Sequence, residues 1–252
     1  MPVAQPRNRR RIPCSACPLR DCGAFRELDD TELAFVEEFK SGEFQIEAGT
    51  VLLEEDNDSP HLYTIMDGWG FRHKALEDGR RQILNYALPG DLVGLQSAMF
   101  QKMEHSVEAL TDMTLCVFER KRFFELYTDY SELAFDITWL AAREERMVDD
   151  HLLNVGRRSA RERIGYIILH LYDRLDRIGK ARKGELAMPL TQQHLADTLG
   201  LSLVHTNRSL NALIKSGLIT WENNVCVIKA REELVKLTHY EGADPRTLRP
   251  LI

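Results

Sequence analysis

Three cysteines near the start of the chain are the residues best suited to chemistry. Cys14, Cys17 and Cys22 follow one another with a C-x2-C-x4-C spacing. Within a short turn, that spacing can direct three thiolates at one centre, as zinc and iron–sulfur clusters require. A fourth thiol must then come from elsewhere in the chain. The alternative is a loop of reduced, unligated cysteines.

A second stretch, residues 191–217, has the pattern of two helices joined by a tight turn. Thr191 and Ser202 suit the N-caps of the two helices, and Gly200 suits the left-handed residue that ends the first one. The pattern predicts a helix-turn-helix, in which the second helix enters the major groove of double-stranded DNA. A plain helical hairpin in a core is the alternative.

The first turns of the second helix carry side chains able to contact bases. Arg pairs with guanine and Asn pairs with adenine in the major groove. Arg208 is therefore the strongest candidate, with His205 and Asn207 next, and the residues at the helix starts suit phosphate contacts. We expect the positions at the start of this helix to be exposed. The predicted DNA-contacting residues are Arg208, His205, Asn207, Thr206, Ser202 and Thr191.

The residues after this motif predict a wing. Residues 218–229 contain two β-type runs around Asn223-Asn224, a pair that tolerates positive φ and suits a tight hairpin. The charge distribution agrees with a winged helix-turn-helix. Residues 156–215 carry eleven Lys and Arg against five acidic residues, a net +6, so the remainder of this −6 chain carries −12. A basic region beside an acidic remainder is expected of a DNA reader with a separate sensor domain.

The preceding residues predict the elements that position both sites. Residues 41–124 contain short β-type runs separated by Gly-containing turns, which favours an antiparallel barrel or jelly roll. Residues 131–154 have apolar residues at threes and fours and predict a long helix. That helix either packs on the barrel or forms a two-fold contact, since two recognition helices on one DNA face require a dimer.

The predicted fold class is α+β. Residues 156–158 are expected to form a hinge and residues 179–189 a basic loop. The five expected regions are a Cys-containing segment at 1–29, a β-barrel sensor domain at 30–129, a dimerisation helix at 130–157, a winged helix-turn-helix domain at 158–237 and a polar C-terminal tail at 238–252.

Composition limits the function classes. The chain has 252 residues, 44% of them apolar, and contains no run of 18 apolar residues that would predict a membrane span. The basic start lacks the apolar stretch of a secretory signal, so a cytoplasmic location is expected. No G-x-S-x-G, P-loop, HExxH or dinucleotide fingerprint occurs. We therefore do not expect an enzyme, and a cupin-like metal enzyme would need a His/Glu cluster that the sequence lacks.

The order of barrel, long helix and winged helix-turn-helix resembles the Crp/Fnr superfamily of bacterial transcription regulators. The resemblance is carried by HLYTIMDGWG, DGRRQI, LPGDLVGL and LTQQHLADTLGLSLVHTNRSLNALIKSGLI. It implies a homodimer that binds a near-palindromic operator and contacts RNA polymerase. In the recognition helix, Val204 stands where well-known members have Glu, while Arg208 keeps the Arg position. The operator is therefore expected to differ from the standard half-sites.

The resemblance also bears on the effector. Cyclic-AMP receptors of the family use a Glu and an Arg after the PGD turn, whereas Leu95 or Gln96 and His105 stand here. Since a cyclic phosphate wants a permanently charged bidentate cation, cyclic-AMP binding is not expected. Oxygen sensors of the Fnr branch hold a [4Fe-4S] cluster with three N-terminal cysteines and one in the barrel. The ligand set that this implies is Cys14, Cys17, Cys22 and Cys116. The gap between Cys17 and Cys22 is shorter than in those sensors.

Other interpretations of the cysteines remain open. Four thiolates also suit tetrahedral zinc. A family regulator without a cofactor would respond to a small molecule in the barrel or to thiol oxidation. Cys116 by itself suits a buried barrel core, and Cys226 in the wing has no partner in this scheme and is expected in the core. If a cluster is present, oxygen or nitric oxide would disassemble it and change DNA affinity.

Overall fold

A computed structural model describes residues 12–242 and 247–252. Residues 1–11 of the predicted cysteine segment and residues 243–246 of the predicted tail lie outside the described residues. The chain divides into two units, each with its own core. The first contains residues 12–74, 86–145 and 248–252, and the second contains residues 75–85, 146–242 and 247. None of the helices in these ranges is long and apolar enough to cross a bilayer.

Two antiparallel four-stranded sheets form the barrel, in the orders β1-β8-β3-β6 and β2-β7-β4-β5. They belong to the first unit except for Ala75 of β4 and the β5 residues up to Asn85, which are grouped with the second. Their side chains enclose apolar clusters, so the predicted antiparallel barrel is confirmed. At the Asp67-Gly68 turn, φ of Gly68 is 92° and a Cβ would lie 2.3 Å from the Asp112 carbonyl oxygen. Glycine is therefore required there. The strands are β1 (Lys40–Ile46), β2 (Val51–Leu53), β3 (His61–Asp67), β4 (Gly70–Ala75), β5 (Arg81–Ala87), β6 (Leu92–Val93), β7 (Ser106–Ala109) and β8 (Met113–Glu119).

Four helices accompany these strands. Asp29 and Glu32 form a capping box that begins the first of them. The last is the predicted long helix, which buries one apolar face in the cluster that contains Cys14 and Cys116. The helices are α1 (Asp30–Phe39), α2 (Leu95–Phe100), α3 (Glu125–Asp129) and α4 (Ser131–Arg157).

The expected hinge at residues 156–158 is only partly present. Gly156 and Arg157 are helical, and the break is confined to Arg158 and Ser159. Ser159 and Glu162 form a capping box that starts the next helix. The position of the break is thus set by the cap that follows it and not by the glycine.

The second unit contains the predicted winged helix-turn-helix. Its sheet has the order β11-β12-β10-β9. The positive φ values of Asn223 (51°) and Asn224 (61°) confirm the predicted hairpin turn. The elements are α5 (Ala160–Asp176), β9 (Ala181–Arg182), β10 (Glu185–Ala187), α6 (Gln192–Leu199), α7 (Leu203–Lys215), β11 (Ile219–Glu222), β12 (Val225–Ile228) and α8 (Arg231–Thr238).

The prediction of a basic loop at residues 179–189 is wrong, because this stretch forms the hairpin β9–β10. Its turn uses positive φ at Lys183 (53°) and Gly184 (81°). A Cβ on Gly184 would lie 2.9 Å from the Ile228 carbonyl oxygen. The hairpin then joins the wing through β10 and β12. The basic side chains therefore project from a sheet edge and not from a free loop.

The expected polar tail also differs from the structure. Leu248–Ile252 belongs to the first unit, and both Leu251 and Ile252 are buried there. Arg249 forms a parallel bridge with Phe25, next to the cysteine segment. The segment that the sequence left without a role is thus part of the core of the first unit, which we call the sensor unit after the predicted sensor domain that it contains.

Candidate functional site

The two caps of the helix-turn-helix are formed as predicted. Thr191 Oγ1 accepts a hydrogen bond from the His194 amide at 3.2 Å, and Ser202 Oγ accepts one from the His205 amide at 3.3 Å. Gly200 ends α6 with φ of 62°. These contacts give amides at each helix start a partner, and they define where α7 begins.

The face of α7 that reaches solvent begins at its first residue. Leu203, Val204, His205, Asn207 and Arg208 are all exposed, Val204 to 70%. No acidic residue lies anywhere in α7. The positive end of the helix dipole and a cationic side chain therefore face the same side, which suits an anionic partner.

Thr206 is the exception, and the expectation that it is exposed is wrong. Its exposure is 0%, because it lies on the helix face that also carries Ser209, Leu210 and Leu213. Residues three and four apart share one face of a helix. Thr206 therefore packs inside the unit and is not available for DNA contact.

Two polar residues that sequence reasoning missed are bonded to Asn207. Asn207 Nδ2 donates to Gln192 Oε1 at 2.8 Å, and Asn211 Nδ2 donates to Asn207 Oδ1 at 2.7 Å. This chain of amides orients Asn207 between α6 and the second turn of α7. The spacing of four between Asn207 and Asn211 was the available sequence signal, whereas Gln192 offered none.

The cysteine segment lies against the barrel strand that carries the fourth cysteine. Cys14 begins a short 3-10 turn, Cys14–Ala16, and Cys116 lies on β8. Each thiol is 7% exposed, and the two share one apolar cluster. Residues about one hundred positions apart in sequence therefore meet in one buried site.

Burial controls the protonation of these two thiols. It raises the pKa of Cys14 to about 12, with a further rise from the Glu37 carboxylate, and it raises the pKa of Cys116 to about 11. The ammonium of Lys40 opposes both shifts. Both groups are thus neutral thiols at pH 7 unless a cation or an oxidant acts on them.

Lys40 is a buried charged residue near the two thiols that the sequence did not reveal. Its side chain is 2% exposed, and its ammonium donates to the Ile12 carbonyl oxygen and to Glu43 Oε1, each at 2.8 Å. It lies at the start of β1, where a lysine in the sequence looks like any solvated one. Only the folded structure brings its charge close enough to interact with Cys14 and Cys116.

The four cysteines suit a metal centre in their chemistry but are not assembled as ligands. Cys14 and Cys17 each interact electrostatically with Cys116. The Cys22 thiol instead donates to the Leu19 carbonyl oxygen at 2.9 Å. Across residues 12–242 and 247–252, no three His, Cys, Asp or Glu side chains are arranged to hold a metal ion. A cluster would require the four thiols to converge and the Cys22 thiol to leave the Leu19 carbonyl oxygen.

His105, which the sequence resemblance places at the phosphate-binding Arg of cyclic-AMP receptors, is a buried imidazole. His105 is 8% exposed, and burial lowers its pKa to about 3, with a further effect from the Arg72 and Lys74 charges. Gln96 Oε1 is engaged by the Glu104 amide at 3.1 Å. A neutral, buried imidazole cannot replace a bidentate guanidinium.

Comparisons with known proteins agree with both halves of this arrangement. Residues 43–130 match the cyclic nucleotide-binding domain family, and residues 162–237 match the Crp-like helix-turn-helix domain family. The nitrogen fixation regulation protein FixK of Bradyrhizobium diazoefficiens is 32% identical over 82% of this chain and 85% of its own. The transcriptional activator protein FnrL of Cereibacter sphaeroides is 30% identical over 85% of this chain and 87% of its own.

A solved structure shows the same fold. The structure of FixK2 from Bradyrhizobium japonicum matches with a TM-score of 0.71 and 28% identity. The match covers 80% of this chain and 98% of that one. Barrel, long helix and DNA-binding domain are thus all represented in the similar protein.

Proposed function

Because the chain belongs to the Crp/Fnr family of transcription regulators, we propose that it binds a near-palindromic operator as a homodimer and responds to redox conditions through its cysteines. It is a DNA-binding regulator and not an enzyme. The observation that carries the proposal is the exposed start of α7, which presents Arg208 and Asn207 on a helix without acidic residues.

The proposed base contacts follow from this surface. Arg208 offers two parallel donors to the O6 and N7 atoms of guanine. Asn207, oriented by Gln192 and Asn211, offers an amide suited to adenine. Val204 presents only methyl groups and suits contact with a thymine methyl group. Unlike a carboxylate, it cannot accept a hydrogen bond from the amino group of cytosine. Ser202 and Thr191, at helix starts, suit phosphate oxygens.

A dimer is proposed from the outer face of α4. Phe135 and Leu153 are 64% and 52% exposed on the face of α4 opposite the buried Leu133, Ile137 and Leu140, and Val148 and Leu152 are 51% and 66% exposed on the flank of the same helix. Several large apolar side chains exposed on one helix indicate a contact surface. A second copy of the same helix would cover them and pair the two recognition helices on one face of DNA. We further propose that the DNA-bound dimer contacts RNA polymerase, as the resemblance implies.

The redox signal is proposed from the site shared by Cys14 and Cys116. We assign Cys14, Cys17, Cys22 and Cys116 as the ligands of a [4Fe-4S] cluster, which would supply sensitivity to oxygen. The burial of Cys14 and Cys116 among the same apolar side chains supports this assignment. The bond from Cys22 to Leu19 favours the second candidate, direct oxidation of the thiols without a cofactor.

Selection of DNA from a random duplex library tests the operator proposal. The expected product is an inverted repeat whose half-sites lie one helical turn apart, about 10 base pairs. Arg208→Ala should lose the preference at one base pair of each half-site. Arg80→Ala, which removes an equal charge from an exposed site on the β4–β5 turn, should select the same repeat as the wild type. A single asymmetric site would contradict the two-fold model.

Anaerobic purification with iron, sulfide and zinc assays tests the signal proposal. A brown protein that bleaches in air, and that loses iron in Cys116→Ser, is the expected result. Cys226→Ser is the matched control, since Cys226 is a buried thiol in β12 of the wing. A colourless protein without iron after reconstitution would exclude the cluster. Mass spectrometry of peroxide-treated protein would then show whether the thiols themselves are oxidised.

A further inference from the structure

The segment 248–252 is bonded along its backbone to the end of the cysteine segment. Arg249 and Phe25 form a parallel bridge. The Arg26 amide donates to the Arg249 carbonyl oxygen at 2.8 Å, and the Arg249 amide donates to the Ala24 carbonyl oxygen at 3.1 Å. Residues 24–26 and 248–250 therefore hold each other in one register.

The Arg249 side chain anchors this bridge in the barrel. Its Nη2 donates to Asp91 Oδ1 and to the Gly90 carbonyl oxygen, each at 2.8 Å, and the guanidinium lies 5.0 Å from the centre of the Phe25 ring. The Arg249 and Asp91 side chains are only 6% and 2% exposed. A buried guanidinium requires partners in a fixed geometry, so this contact is specific to one docked position.

The PGD turn is shaped to accept the same contact. A Cβ at Gly90 would lie 2.4 Å from the Phe25 ring. The turn thus leaves room for the aromatic ring that supports Arg249. Arg143 of α4 also pairs with Asp91, at 3.3 Å, which connects the anchor to the long helix.

The last two residues reach the cysteine site itself. Thr64 Oγ1 donates to the Ile252 carbonyl oxygen at 2.6 Å, and Thr64 is paired in register with Cys116. Ile252 is a member of the apolar cluster that contains Cys14 and Cys116. Ile252 therefore packs in the same apolar core as the two thiols, beside the strand position that pairs with Cys116.

We propose that the sensor unit contains a binding groove for the chain's own residues 248–252, and that this segment is a latch that holds residues 12–28 against the barrel. The segment follows the DNA-binding unit in sequence, so its docking returns the chain to the cysteine site. Release of the latch would expose Cys14 and Cys116, and release of the cysteine segment would free the latch. The inference does not depend on whether the cysteines hold a cluster.

Mutual stabilisation of residues 12–28 and 248–252 distinguishes a latch from a segment that only fills a groove. If the two segments stabilise each other, each must lose protection when the other is weakened, by the same free energy. Hydrogen–deuterium exchange of the reduced, metal-free full chain measures this. Arg249→Ala should raise exchange about tenfold in the peptide 12–28, and Phe25→Ala should do so in the peptide 247–252. Arg80→Ala, an exposed arginine, should change neither.

A change in Arg249→Ala that is confined to residues 247–252 would overturn the proposal, since the cysteine segment would then hold itself. So would unchanged exchange in both peptides. If exchange also rises in the wing peptide 218–229, Arg249→Ala has lost its fold more widely. The variant Thr64→Val then tests the latch in its place. That variant removes only the bond to Ile252, and a rise confined to residues 12–28 and 247–252 supports the latch, whereas no rise overturns it.

Thiol labelling of the same proteins gives an independent readout. In Arg249→Ala, Cys14 and Cys116 should react with a maleimide about tenfold faster than in the wild type. Cys226 should react at the wild-type rate, because it is buried in the wing. Arg249→Lys keeps a positive charge near Asp91 without the planar guanidinium that donates to Asp91 and Gly90, and it should give intermediate rates. Equal labelling of Cys14 and Cys116 in all variants would contradict a latch over the thiols.

Discussion

The recognition helix takes its side chains from one stretch of chain, whereas the cysteine site takes them from four. Residues 191–215 contain both caps, the turn and every proposed DNA contact. Cys14, Lys40, Cys116 and Ile252 come from separate segments of the sensor unit. A site on a single helix inherits its spacing from helical geometry. A site built from distant segments exists only when the barrel has folded.

The largest effect on operator affinity is expected at the proposed dimer contact of α4, because two recognition helices require two copies of the chain. Leu152→Glu places a charge among the exposed apolar side chains of α4 and should weaken the dimer by about 2–4 kcal/mol. Operator binding should weaken with it, since one half-site alone holds the protein poorly. Sedimentation velocity and operator titration measure both. Leu76→Glu is the control on an exposed leucine elsewhere, and a dimer that persists in Leu152→Glu would rule out this contact.

Two substitutions in α7 test whether base recognition depends only on the exposed face of that helix. Arg208→Ala should cost about 1–3 kcal/mol of operator affinity and relax specificity at one base pair. Thr206→Val keeps the volume of a buried side chain and should leave base preference unchanged. Binding to single-substitution operators distinguishes the two. Altered base preference in Thr206→Val would show that the buried face also takes part in reading.

The sensor unit should be the half that responds to mild acid. His105 is neutral in the folded protein, and its pKa is lowered from 6.5 to about 3 by burial and then by the Arg72 charge. Below pH 6.5 the unfolded chain binds a proton at His105 that the folded chain excludes. The free energy of unfolding is therefore at its full value above pH 6.5 and decreases as the pH falls towards 3. Relative to His105→Gln, the wild type should lose about 2 kcal/mol between pH 7 and pH 5.

Urea unfolding at the two pH values measures this loss. Trp69 fluorescence reports the sensor unit if Trp139 and Trp221 are replaced by Phe. Equal pH dependence in the wild type and in His105→Gln would mean that His105 binds a proton as readily in the folded barrel as in the unfolded chain.

The smallest effect is expected at a cap that the sequence alone identified. Thr191→Ala removes the acceptor for the His194 amide and should destabilise the DNA-binding unit by about 1 kcal/mol. Thr191→Ser keeps an oxygen and should be close to neutral. Urea unfolding followed by Trp221 fluorescence reports this unit. Equal midpoints for Thr191→Ala and Thr191→Ser would show that the cap contributes nothing.

The local elements were largely predictable from sequence. Thr191, Ser202 and Gly200 mark the caps, and Asn223-Asn224 marks the wing turn, because each depends on hydrogen bonds or backbone angles within a few residues. The burial of Thr206 was equally local and was missed through the wrong assignment of helix faces. The hairpin β9–β10 was missed because its partner, β12, lies some forty residues later.

The sequence by itself determined the family, the order of elements and the residue types available at each site. Only the tertiary structure decided that the charge of Lys40 acts on two thiols, that burial disfavours a charge on His105, and that Ile252 packs in the apolar cluster of Cys14 and Cys116. The physical reason is the range of the interactions. Caps and turns depend on neighbours in the chain, whereas desolvation and buried ion pairs depend on which distant segments exclude water from a group.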